Sequence, residues 1–170
     1  MERFDVRRGL IKEVEGSGGL AALAEEFFEK VESTSDSSFE ASHGVMTFIG
    51  AKYENGAMIV DVTNVPPDFE DKEAMKSAME DRKRWTEFLD KATGYNSKQR
   101  GDKAKEWAKK ASKAKSAISA AKHFMEMSES ISEDKKEQAE SLISEIETLL
   151  DANDNTKAAG RGEKLNKLFT

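Results

Sequence analysis

Apolar and polar positions alternate with period two between residues 39 and 65 and recur at three-and-four spacing through most of the remaining chain. This predicts strands set among amphipathic helices. Arg3 to Ile11 has strand character, closed by the glycine-rich break Gly16-Ser17-Gly18-Gly19. Leu20, Leu23, Ala24, Phe27, Phe28 and Val31 then fall on one face of a helix, with Glu25, Glu26, Glu29 and Glu32 on the other. Ser33 to Ser38 reads as a polar loop. Strands are expected over residues 39–42, 45–54 and 57–65, with turns at His43-Gly44 and Asn55-Gly56. Asn-Gly between alternating apolar runs predicts a type I′ hairpin, because both residues accept positive φ. That turn pairs Tyr53 with Met58, Ala51 with Val60 and Ile49 with Val62 on one apolar face, which should meet the helices.

Pro66-Pro67 ends the strand, since neither can donate to a ladder, and an acidic run leads into a helix striped with Met75, Ala78, Met79, Trp85, Phe88, Leu89 and Ala92. Gly94 suits a left-handed helix end, and Asn96 with Gln99 suits a capping box for the next helix. Trp107, Ala108, Ala111, Ala114, Ile118, Ala121 and Met125 form a narrow seam that only a close-packed helix would bury. Ser132 caps such a partner, striped with Ala139, Leu142, Ile143, Ile146, Leu149 and Leu150. Residues 98–151 are thus expected to form an antiparallel helical hairpin. Asn153 to Gly162 reads as a flexible break before a short helix at Glu163–Phe169. The fold class is α+β, a two-layer sandwich of an antiparallel sheet and helices over residues 1–97, extended by a basic helix and C-terminal hairpin over residues 98–170.

The other face of the sheet sets Met46, Phe48, Gly50 and Lys52 against Ile59, Asp61 and Thr63. It is too mixed for a core and too apolar to be indifferent to partners. Met46, Phe48, Lys52, Ile59 and Asp61 are accordingly the candidate partner-binding residues.

Charge sharpens this picture. The chain of 170 residues carries a net charge of −6, made up of −10 over residues 1–81, +9 over 82–122, −8 over 123–156 and +3 over 157–170. Segregation of this kind concerns contacts. Lys98, Arg100, Lys103, Lys105, Lys109, Lys110, Lys113, Lys115 and Lys122 would neutralise phosphates, and the first seven are the candidate nucleic-acid-binding residues. They encircle the helix rather than forming one stripe, and Trp107 is the only interleaved aromatic. Were the acidic helix to lie directly alongside, Lys and Glu side chains would pair at the edges of the seam.

With no cysteine the chain has no disulfide or thiolate metal site, and no apolar run reaches the ~18 residues needed to span a bilayer. The N-terminal MERFDVRRGL lacks the apolar segment of a secretory signal, so a cytoplasmic protein is expected. Gly16-Ser17-Gly18-Gly19 lacks the Lys-Ser/Thr of a phosphate loop and is surrounded by glutamates, which favours a plain turn. His43 and His123, the only histidines, have no ligand-like neighbours at metal-site spacing; His43 reads as a turn residue. No cofactor, metal or catalytic set is expected.

FDVRRG near the start, SHGVMTFIGAKYENGAMIVDV in the strands and RWTEFLDKATGYNSKQRGDKAKEWAKK afterwards resemble a family of small uncharacterised archaeal proteins with a two-layer α/β sandwich fold. FLDKATGY followed by a basic helix is the most specific part. The resemblance covers roughly residues 3–110 and implies the same fold and an archaeal setting, without supplying catalytic residues. Gly101 departs from it, standing where a helix former is expected, and residues 111–170 extend past the usual family end. The reading that follows is a non-catalytic module that binds a protein partner or itself; the alternative is nucleic-acid binding through residues 98–122.

Overall fold

A computed structural model describes all 170 residues, Met1–Thr170, and the chain forms two compact units, Met1–Ala104 and Lys105–Thr170. The first contains β1 (Glu2–Asp5), α1 (Leu10–Gly16), α2 (Leu20–Glu25), β2 (Lys30–Ser35), β3 (Ser38–His43), β4 (Met46–Glu54), β5 (Ala57–Asn64), α3 (Lys72–Thr93) and the start of α4 (Ser97–Met127). Its strands make one antiparallel sheet in the order β1-β5-β4-β3-β2. Asn55 and Gly56 both have positive φ, 52° and 75°, and the turn sets the expected register: Tyr53 faces Met58, Ala51 faces Val60 and Ile49 faces Val62.

The inner sheet face carries Phe39, Ile49, Ala51, Tyr53, Met58 and Val60, buried against Leu10, Val14, Leu20, Ala24, Phe28, Phe88 and Ala92 of the helical layer. At about 25 cal/mol per Å² of apolar surface removed from water, such side chains supply most of the drive to fold. Asp71 starts α3 by accepting the Glu73 and Ala74 N–H groups at 2.9 and 3.3 Å, and Gly94 ends it at φ 73°. Asn96 and Gln99 then cap α4 reciprocally at 3.0 and 2.9 Å, as their spacing predicts.

Three local readings are corrected. The strand expected over residues 3–11 stops at Asp5, because Gly9, at φ 87°, turns the chain into α1. The helix expected over residues 20–31 stops at Glu25: adjacent Phe27 and Phe28 both turn into the core, and Val31 pairs with Ala41 within β2. Of the stretch Ser33 to Ser38 read as a loop, residues 33–35 belong to this edge strand, and only Asp36-Ser37 form a turn, into β3. Solvated on most positions, β2 needs no apolar alternation, and it is tied across its turn by Thr34–Ser38 and Ser35–Ser38 hydroxyl contacts of 2.6 Å.

The second unit comprises the rest of α4 with α5 (Glu133–Asp151) and α6 (Asn155–Leu168). Ser132 caps α5 by accepting the Lys135 N–H. Ala114, Ile118 and Ala121 of the seam are buried with Ala139, Ile143 and Ile146, whereas Ala108 faces solvent. The expected break over residues 153–162 is instead the first half of α6, capped by Asp154, whose side chain accepts the Lys157 N–H. Gly162 does not interrupt it. A Cβ there would lie 3.2 Å from Ala117 Cβ and 3.4 Å from Ala114 Cα, so this glycine lets α6 approach α4. No helix in either unit is long and apolar enough to cross a membrane.

Candidate docking groove

Beyond β5 the chain runs Val65-Pro66-Pro67 and then an acidic loop into α3. The prolines prevent continuation of the ladder, and the departing chain leaves a groove between the end of the sheet and the first half of α3. The groove has a volume of about 580 Å³. Met1, Val60, Val62, Val65, Phe69, Met75, Ala78, Met79 and Trp85 give it apolar walls, and Glu2, Asp61 and Arg82 its charges. Several of these walls are unusually bare: Phe69 is 74%, Met79 69% and Val65 51% exposed. A cluster of large apolar side chains left in water on a well-cored domain is a mark of a contact surface.

The outer sheet face divides the sequence-derived candidates. Phe48, at 37% exposure, lies across Gly50, where an added Cβ would sit 3.1 Å from its ring. Lys52, Ile59 and Asp61 line a shallow depression of about 240 Å³ on this face, and Asp61 also lines the groove. Met46 is a correction: a register irregularity between Met46 and Phe48 turns it to the other side, where it is 3% exposed in the core. Met79, expected in the buried stripe of α3, is likewise corrected, since it stands at the groove rim.

The basic candidates are not equivalent. Arg100 is buried and engaged by Asp90, the Tyr95 carbonyl and Ser97, so it is withdrawn from any phosphate-binding set. Lys98 pairs with Asp102 at 3.4 Å, and Lys103 lies over the Tyr95 ring at 5.8 Å. In the second unit Lys110 donates to the Thr156 hydroxyl at 3.2 Å, Lys113 pairs with Glu163 at 2.6 Å and Lys122 with Glu147 at 3.4 Å. Lys105 and Lys109 are exposed. The glycine-rich loop has spent its amides: Ser17 and Gly19 donate to the Val14 carbonyl, Gly18 to Glu15 and Leu20 to Asp36.

Sequence spacing missed one pairing. His43 Nε2 lies 3.4 Å from Asp81 Oδ1, and Asp81 Oδ2 accepts the Val45 N–H at 3.0 Å. Asp81 thereby ties the β3–β4 turn to α3. Gly44, at φ 53°, is required there because a Cβ would come within 2.0 Å of that carboxylate. His43 Nδ1 is buried without a hydrogen-bond partner, beside the Phe28 ring. Neither His43 nor Asp81 lines the groove. Nowhere do three or more His, Asp or Glu side chains converge as metal ligands.

These features define an α+β module, one antiparallel sheet with helices on a single face, followed by a helical unit. Residues 1–106 match the family described as a domain of unknown function, DUF5611, and the chain belongs to that family. Comparison with curated proteins and with solved structures gave no match.

Proposed function

We propose that the chain is a non-catalytic protein-interaction module, cytoplasmic and of archaeal setting, that docks another protein or a second copy of itself. The observation that carries this reading is the groove, where Phe69, Met79 and Val65 remain exposed although the same unit buries Phe28, Phe39, Ile49, Met58 and Phe88. The adjoining outer face, with Phe48, Lys52, Ile59 and Asp61, would form the rim of the contact. The test is recovery of bound partners from native extract by the full chain and by Phe69→Asp, with and without nuclease. Protein partners that resist nuclease and are lost with Phe69→Asp support the reading; partners indifferent to that substitution contradict it.

The exposed side chains of Lys105 and Lys109 favour a second reading, nucleic-acid binding through α4. Against it stand the engagement of Arg100 within the first unit and the pairing of Lys113 and Lys122 with glutamates. Binding to generic duplex DNA at physiological salt should therefore be weak. Nuclease-sensitive recovery, lost on changing Lys105 and Lys109 to Glu, would promote this reading.

A further inference from the structure

β5 is longer than the strand that covers its outer edge. β1 pairs with residues 57–60 only, the last pair being Glu2 with Val60, while on its other edge β5 stays paired to β4 as far as Asn64. The direction of the backbone groups past Val60 follows from two bonds. The Thr63 carbonyl accepts the Thr47 hydroxyl of β4, and the Val65 N–H donates to the Val45 carbonyl on the same side. Peptide groups alternate in direction along a strand, so those of Val62 and Asn64 point the opposite way, into the space beyond the end of β1. That space is the groove. Met1, which also lines it, is 91% exposed.

We propose that the groove takes a short extended segment of a partner protein, which adds to β5 alongside Val62 and Asn64 and continues the sheet in line with β1. This rests on the docking reading above and specifies its occupant. A residue set opposite Val62 shares its face of the sheet and points between β5 and α3, toward Met75, Ala78 and Met79, where an aliphatic side chain fits. Its neighbours in the segment point to the outer face, beside Asp61 and Thr63. The charges there select their chemistry: in the lining Glu2 and Asp61 stand against Arg82 and the Met1 amino group, and the following loop and first turn of α3 add Asp68, Glu70, Asp71 and Glu73 against Lys72. The segment that fits alternates aliphatic residues with Lys or Arg. The edge supplies main-chain hydrogen bonds, the groove a pocket for alternate side chains, and the acidic rim the sign of the partner's charge.

The experiment selects displayed random peptides of about ten residues on the full-length protein, then follows amide exchange with the best binder added. Enriched sequences should alternate aliphatic and basic residues. The Val62 and Asn64 amides should exchange about tenfold or more slowly in the complex, and Asp61→Lys, at an exposed position, should weaken binding about tenfold. Val62→Pro, which deletes a donor that β4 does not use, should abolish binding; because Val62 is partly buried, Asp61→Lys serves as the independent variant. Binders lost with Met79→Asp that leave Val62 and Asn64 exchange unchanged would overturn strand addition while sparing groove docking. Absence of any binder sensitive to Met79→Asp would overturn both. A dimer of the free protein dissolved by Val62→Pro would assign the edge to a second copy and overturn the partner segment.

Discussion

In the first unit Phe88 meets the rings of Phe27, Phe28, Phe39 and Trp85 at 5.1 to 5.8 Å, whereas the second unit is centred on Ala114, Ala121, Ala139 and Ala158 with Ile143, Ile146 and Leu165 between them. One core is filled by large side chains contributed from distant parts of the sequence. The other depends on backbones coming close enough that small side chains suffice. The two should therefore fail differently: the first when volume is removed, the second when volume is added.

The largest effect is expected from Phe88→Ala. It removes the ring at the centre of the aromatic cluster and should destabilise the first unit by about 3–5 kcal/mol in urea titration, read at the Ile49 methyl resonances. A loss below 1.4 kcal/mol, about a factor of ten in the folding equilibrium, would show that the rings are not its anchor. Gly162→Leu is the converse change. Forced against Ala117 and Ala114, it should destabilise the second unit by about 1–3 kcal/mol, read at Ile146, with the Ile49 transition unmoved. Were both transitions to shift together, the units would not be independent. Gly56→Val meets no neighbouring atom, so its effect isolates the positive φ of the hairpin and should be about 1–2 kcal/mol in the first unit.

The smallest contrast is in pH. Burial, reinforced by the Glu15 carboxylate, raises the Tyr53 hydroxyl above its ordinary value of 10.0, and its proton bonds the Ala92 carbonyl at 2.6 Å. Stability from this group is whole below pH 10.0 and is lost as pH rises beyond it. In the second unit burial works to raise Asp154, but hydrogen bonds and charge from Lys157 outweigh it, and the hydrogen bond and charge of Lys113 lower Glu163. Both lie below their ordinary values of 3.8 and 4.5, so their contribution is present above those values and is lost as pH falls through the folded ones. Melting at stepped pH should show an alkaline decline for the first unit that Tyr53→Phe removes. The second unit should show a slight acid decline, reduced by Lys113→Ala and small because these pairs are exposed.

Local chemistry made some of this fold legible from residues alone. Asn55-Gly56 determined the hairpin register, Gly94 the end of α3, Asn96 with Gln99 the start of α4, and Ser132 the start of α5, because each acts within a few residues of itself. Where tertiary packing overrode local pattern, reading failed. Phe27, Phe28 and Val31 keep helical spacing, yet Val31 belongs to a strand because β3 lies beside it. Gly162 resembles a break and is a helix contact, since Ala114 and Ala117 are what it approaches. The His43–Asp81 pairing joins a turn to a distant helix and leaves no spacing signature. The groove had a faint one: Phe69, Met75 and Met79 are apolar residues in an otherwise acidic stretch after two prolines. Helical periodicity assigned Met79 to the core, and only the position of α3 against the sheet shows it in solvent.

The contrast between a buried aromatic centre and a bare apolar groove in the same unit leads to one direct measurement. Met79→Asp should leave the melting temperature of the first unit unchanged, because the side chain is 69% exposed, and should abolish recovery of nuclease-resistant protein partners. Unchanged recovery by a folded Met79→Asp protein would contradict the assignment of the groove as the docking surface.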